Sequence, residues 1–116
     1  MRLTALDPEF IRWEDRKEVF NGAEVTRTYL PEANDLADAQ GIEIDCPKCG
    51  NHRVHVTFAG RGAADHHGSR GSDGRPTRWN IVGGSGFDDL SLSPSIDCTP
   101  SNPNCWHGFI TNGEAT

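Results

Sequence analysis

Cys46-Pro47-Lys48-Cys49-Gly50 is the segment that most restricts how this chain can fold. Two thiolates separated by two residues can face one tetrahedral ion when the chain turns tightly between them. The glycine that follows relieves crowding where backbone N–H groups approach the sulfurs. The flanking residues read as strands. Ile42-Glu43-Ile44 alternates into Cys46, and the stretch from His52 to Phe58 sets Val54, Val56 and Phe58 on one face and Arg53, His55 and Thr57 on the other. A strand, a Cys-x-x-Cys turn and a second strand make the knuckle of a zinc ribbon.

A closed zinc site needs a second half, and Cys105-Trp106-His107 offers it. In an extended strand residues i and i+2 point to the same side, so Cys105 and His107 reach one ion together. The expected ligand set is therefore Cys46, Cys49, Cys105 and His107 around one structural Zn²⁺, with no position left for a catalytic water. Alternatives stay open. Cys98 replaces Cys105 or His107, or pairs with Cys105 in a disulfide across the Pro/Asn turn, or all four cysteines are plain buried thiols. A disulfide requires an oxidising compartment. His52 and His55 lie near the knuckle as ligands or as supporting groups, with a surface or hydrogen-bonding role the simpler reading of His52. His66 and His67 read as solvated loop residues.

Composition explains why an ion matters here. The chain has 116 residues, enough for one domain, but only 34% are hydrophobic, and Gly (13) and Pro (7) are plentiful. Such a chain builds a small core with many turns, and a structural zinc adds on the order of 10 kcal/mol to its folding. No apolar run approaches the roughly 18 residues of a membrane span, and MRLTALDPEF lacks a signal-peptide core. The expected location is the cytoplasm of a bacterial host or a virion, without secretion or membrane contact.

The rest of the chain reads as short strands and turns. Asn21-Gly22 signals a hairpin, with strands over Phe10–Val19 and Glu24–Tyr29; the alternative is a short helix over Asp7–Lys17. Asn34 or Asp35 caps a short helix over Leu36–Gln40, stopped by Gly41. Gly60–Pro76 is a long exposed loop. Arg78–Val82, Leu90–Ile96 (interrupted at Pro94) and Trp106–Thr111 are further strands, with a Pro/Asn/Ser turn over Thr99–Asn104. The expected core includes Trp13, Phe20, Val54, Val56, Phe58, Trp79, Ile81, Leu90, Leu92, Ile96, Trp106, Phe109 and Ile110. The fold class is mainly β: one small zinc-ribbon-like domain, with an N-terminal hairpin or extension over 1–35 and the zinc-binding part over 36–116.

Several pieces resemble an uncharacterised family of small proteins encoded by phages, prophages and other bacterial mobile elements. They are Ala39-Gln40-Gly41-Ile42 running into Asp45-Cys46-Pro47-Lys48-Cys49, then Arg78-Trp79, then Asp89-Leu90-Ser91-Leu92-Ser93-Pro94-Ser95-Ile96, and finally Cys105-Trp106-His107-Gly108-Phe109-Ile110-Thr111-Asn112-Gly113-Glu114. They span about the C-terminal two-thirds of the chain. The resemblance implies a phage or prophage origin and a Cys-x-x-Cys and Cys-x-His metal pair. It implies no activity, and Cys98 stands outside the pattern. Residues 1–35 match nothing in it.

Three function classes follow. The favoured one is a non-enzymatic, zinc-stabilised interaction module, of which a minor capsid or tail-associated virion component is one version; its partner is a protein, another virion component or a second copy. The second is a nucleic-acid-binding zinc ribbon using Arg53, Arg61, Arg70, Arg75 and Arg78 with Trp79. Residues 51–80 carry a local charge of +3, but the net charge of −6 opposes it. The third is a zinc-dependent hydrolase drawing on His52, His55, His66, His67, Asp65 and Ser95. It needs His107 to leave the ion an open position.

Overall fold

The computed structural model describes residues 1–100 and 102–116. It is mainly β, with several small antiparallel sheets and no α-helix among the described residues. The central sheet orders three strands as β1 (Glu9–Ile11), β4 (Gly41–Asp45) and β5 (Arg53–Thr57). Alternation dictates it. Ile42 and Ile44 of β4 pair with Val56 and Val54 of β5, and all four side chains enter the core.

Between β1 and β4 the chain leaves the core as a two-stranded ribbon, β2 (Glu14–Phe20) and β3 (Ala23–Tyr29). Its Asn21-Gly22 loop has φ of 51° and 80°, the left-handed pair that a two-residue hairpin turn needs. The hairpin prediction therefore holds, but its first strand starts at Glu14. Phe10 and Ile11 belong to the central sheet, and the alternative helix over Asp7–Lys17 is absent. The turn at Leu36–Asp38 is a single 3₁₀ turn, with the Asp35 carboxylate accepting from the Asp38 N–H, not the longer helix expected.

The second half packs short strands against this sheet. β6 (Asn80–Gly83) pairs with β7 (Ser91–Ser93), and β8 (Ile96–Asp97) pairs with β9 (His107–Gly108). β10 (Ile110–Thr111) turns at Asn112-Gly113 into β11 (Glu114–Ala115). The strand expected over Leu90–Ile96 is interrupted at Pro94 as read, giving β7 and β8, whereas the single strand expected over Trp106–Thr111 is broken in two. The Ser101 member of the turn expected over Thr99–Asn104 lies outside the described residues. The amino-terminal NH₃⁺ donates to Ala115 O at 2.8 Å, which brings the two ends together.

One apolar cluster runs from Leu3 and Leu6 through the central sheet to Trp79, Leu90, Leu92, Ile96, Trp106 and Ile110. Both buried indoles are satisfied, Trp79 on Ser95 O and Trp106 on Thr116 O. Three expected core residues, Trp13, Phe20 and Phe109, are outside it. Phe20 is 67% exposed at the ribbon tip and Phe109 is 54% exposed. Trp13 and Ile81 are only half-buried.

Candidate metal centre

The connection from β4 to β5 is the Cys-x-x-Cys turn itself. Gly50 N–H donates to Cys46 O and Cys46 N–H to His52 O, both at 2.9 Å, which closes the turn on itself. Gly50 takes the left-handed φ of 68° that this reversal demands. The Cys46 side chain is buried, Cys49 and His52 half-buried. Burial alone raises the Cys46 thiol pKa. The N–H groups of Cys49 and Lys48, the Cys49 side chain and the Trp106 N–H outweigh it and hold the thiol below its ordinary value.

Cys105 arrives from far along the chain. The β8–β9 ladder delivers it, with Cys98 N–H bonded to Trp106 O at 3.1 Å just beyond the last strand pair. His52 then sits between two sulfurs: Nδ1 is 3.2 Å from Cys49 Sγ and Nε2 is 3.0 Å from Cys105 Sγ. Cys46, His52 and Cys105 form a partly buried group whose donor atoms all lie within 4.8 Å of one another, a candidate metal site. Two thiolates and an imidazole are donor chemistry that zinc takes in structural sites, so the residues fit the ion when Cys105 is a free thiol. Cys105 is also bonded to Cys98, with the two Cα atoms 5.4 Å apart.

His107 does not join this group. It lies exposed on β9, paired with Asp97, and its Nε2 is 3.4 Å from Ser95 Oγ. The expectation failed because it assumed that Cys105 and His107 share a strand. Cys105 occupies a bend and the strand begins only at His107, so alternation does not relate the two side chains. His52 stands in its place. The regular spacing Cys46, Cys49, His52, one donor every third residue on a tight turn, was the available signal.

The five arginines are largely committed to the fold. Arg53 binds Glu43 and Asp45 at 3.0 Å each. Arg61 Nη1 donates to the carbonyls of Leu36, Ala37 and Ala39. Arg78 Nη2 donates to those of Ala64 and His67, and Arg70 Nη1 to that of Gly74. Arg70 and Arg75 are exposed, the Arg75 side chain being 87% accessible and 4.0 Å from Asp73.

A second polar cluster was not foreseen. Asp15 on β2 accepts from Thr28 Oγ1 at 2.7 Å and faces His66 Nε2 at 2.7 Å and His67 Nε2 at 3.0 Å. His67 is buried, not solvated. Its Nδ1 accepts the Ala64 N–H at 3.1 Å, so the neutral ring carries its proton on Nε2 and donates to Asp15. That tautomer leaves Nε2 without a lone pair for a metal, and the cluster reads as a clasp between ribbon and loop. His55 is exposed and faces Glu43 at 3.3 Å across the sheet.

Comparison with known proteins finds no matching family model, curated protein or solved structure. Among the described residues no helix is long and apolar enough to cross a membrane.

Proposed function

We propose that this chain is a non-enzymatic, zinc-stabilised structural and protein-interaction module of a phage or prophage, with a virion component as its most specific form. The observation that carries the metal part is the partly buried group of Cys46, His52 and Cys105, whose donor atoms lie within 4.8 Å of one another. The ligands would be Cys46 and Cys105 as thiolates and His52 through Nε2, once Cys105 is released from Cys98, and Cys49, which now faces His52 Nδ1 at 3.2 Å, would have to swing its side chain round to become the fourth. Four protein ligands leave no open position for substrate or water, which favours scaffolding over catalysis. The ion would join the β4–β5 turn to the β8–β9 hairpin.

The phage part rests on the resemblance of the segments around Cys46, Ser95 and Cys105. The arginines bound to carboxylates and carbonyls weigh against nucleic acid as the main partner. The exposed ribbon at 14–29 is the surface best placed to meet a protein. The test is native mass spectrometry with elemental analysis of the reduced full chain, joined to a search for the protein in purified particles. One zinc per chain and presence in particles are expected. A metal-free reduced chain overturns the zinc reading, and absence from particles overturns the virion form.

A further inference from the structure

The Cys105 sulfur takes part in two arrangements that exclude each other. It is bonded to Cys98, and it is a member of the donor group with Cys46 and His52. Only a thiolate serves as a metal ligand, so the disulfide withholds Cys105 from any ion. We propose that the Cys98–Cys105 disulfide is a redox gate on the metal centre: closed, it keeps the ion out, and reduced, it completes the site. The inference rests on the zinc reading above and adds the regulation of that site.

Donor count supports the gate. With the disulfide closed, only Cys46 and His52 of that group remain, short of the four donors that structural zinc takes even when the free thiol of Cys49 swings in. Reduction supplies Cys105 as the fourth. The strands need not rearrange for this. Ile96 pairs with Gly108 and Asp97 with His107, a ladder that holds the two cysteine backbones side by side independently of the sulfur bond. Cys98 is thus a positioning and redox residue, outside the ligand set, and its role differs from that of the other three cysteines.

Access supports it too. An open cleft of about 740 Å³ is lined in part by His52, Cys98 and Cys105, with Trp13, Trp79 and Asn102 on its walls. Cys98 is half-buried and Cys105 is 2% exposed, so an incoming thiol meets Cys98 first. The thiolate of an external dithiol attacks Cys98 Sγ and the Cys98–Cys105 bond breaks. Cys105 leaves as a thiolate, 3.0 Å from His52 Nε2 and already in the site. The second thiol of the reagent then resolves the mixed disulfide. Cys98 is released as a thiol and the reagent becomes a disulfide, two electrons having passed to the protein. A small-molecule disulfide such as oxidised glutathione runs the sequence backwards.

The experiment measures zinc per chain on the desalted full-length protein, equilibrated with zinc under dithiothreitol or under oxidised glutathione, with the disulfide mapped by peptide mass. The expected result is about one zinc per reduced chain and at least about tenfold less when Cys98–Cys105 alone is closed. Cys98→Ser should hold zinc equally under both conditions, and Cys98→Ala serves if the serine variant does not fold. Equal zinc in reduced and oxidised wild type overturns the gate and leaves the metal site standing. No zinc in the reduced wild type overturns both. Zinc loss on oxidation of Cys98→Ser, or mapping that finds Cys46–Cys49 closed instead, shows that another pair controls the ion and overturns the gate.

Discussion

His52 Nε2 lies 3.0 Å from Cys105 Sγ across 53 positions of sequence. That contact joins the turn after β4 to the hairpin of β8 and β9, and it places His52, not His107, in the candidate metal group. Replacing each histidine separates the two assignments. His52→Ala should weaken zinc binding by at least roughly tenfold, the scale on which even an orienting partner of a ligand acts. His107→Ala should leave it unchanged and alter stability by no more than about 0.5 kcal/mol, as exposed substitutions do. A competition titration with a chromophoric chelator reads both, and the reverse order of effects would return the site to His107.

Removing the ion should cost the fold heavily. The core is drawn from short strands and the turns between them, and Cys46 is buried within the donor group. The reduced chain treated with a strong chelator should lose cooperative thermal unfolding, since structural zinc contributes on the order of 10 kcal/mol. Cys46→Ser should behave as the chelated wild type does. An unchanged calorimetric transition after chelation would show that the apolar cluster suffices alone.

Acid should loosen the ribbon. The hydrogen bonds from His67, then Thr28, then His66 hold the Asp15 carboxyl far below the usual carboxylate range, outweighing the opposing effect of its partial desolvation. A depressed folded value means that the stability from this group is fully present above the unfolded pKa of about 3.9 and is lost as pH falls through the folded value. Melting temperatures from pH 6 to pH 2 should therefore fall less steeply for Asp15→Asn than for wild type. Parallel curves would remove Asp15 from the acid response.

Gly41 marks a close approach that no other residue permits. A Cβ there would lie 2.6 Å from Val56 O and 2.8 Å from the Trp13 ring. Gly41→Ala should destabilise by about 1–3 kcal/mol, the usual cost of overpacking a filled site. Urea denaturation measures it, and a midpoint equal to wild type would mean that Trp13 and β5 yield more easily than their packing suggests.

The ribbon tip should be free of the core. Val19 and Phe20 are 76% and 67% exposed. The double change Val19→Thr and Phe20→Thr should shift stability by no more than about 0.5 kcal/mol. A large loss in denaturant titration would mean that the tip supports the fold directly.

Local chemistry was legible in the residues themselves. The alternation of Ile42–Ile44 and Val54–Val56, the Asn21-Gly22 turn and the tight Cys46–Cys49 reversal each depend on neighbours a few positions apart, and each appears where the sequence places it. Strand alternation also carried the argument wrong at His107, because a bend at Cys105 resets the side on which the next residues point. Tertiary structure alone decided which distant groups meet. His52 meets Cys105, Asp15 meets His66 and His67, and Cys98 lies beside Cys105, because the packing of separate hairpins sets those distances. It likewise turned Arg53, Arg61 and Arg78 inward to the carbonyls and carboxylates of turns and strands. The sequence shows their charge and not their partners, since a partner many residues away is fixed by how the hairpins pack and not by spacing along the chain.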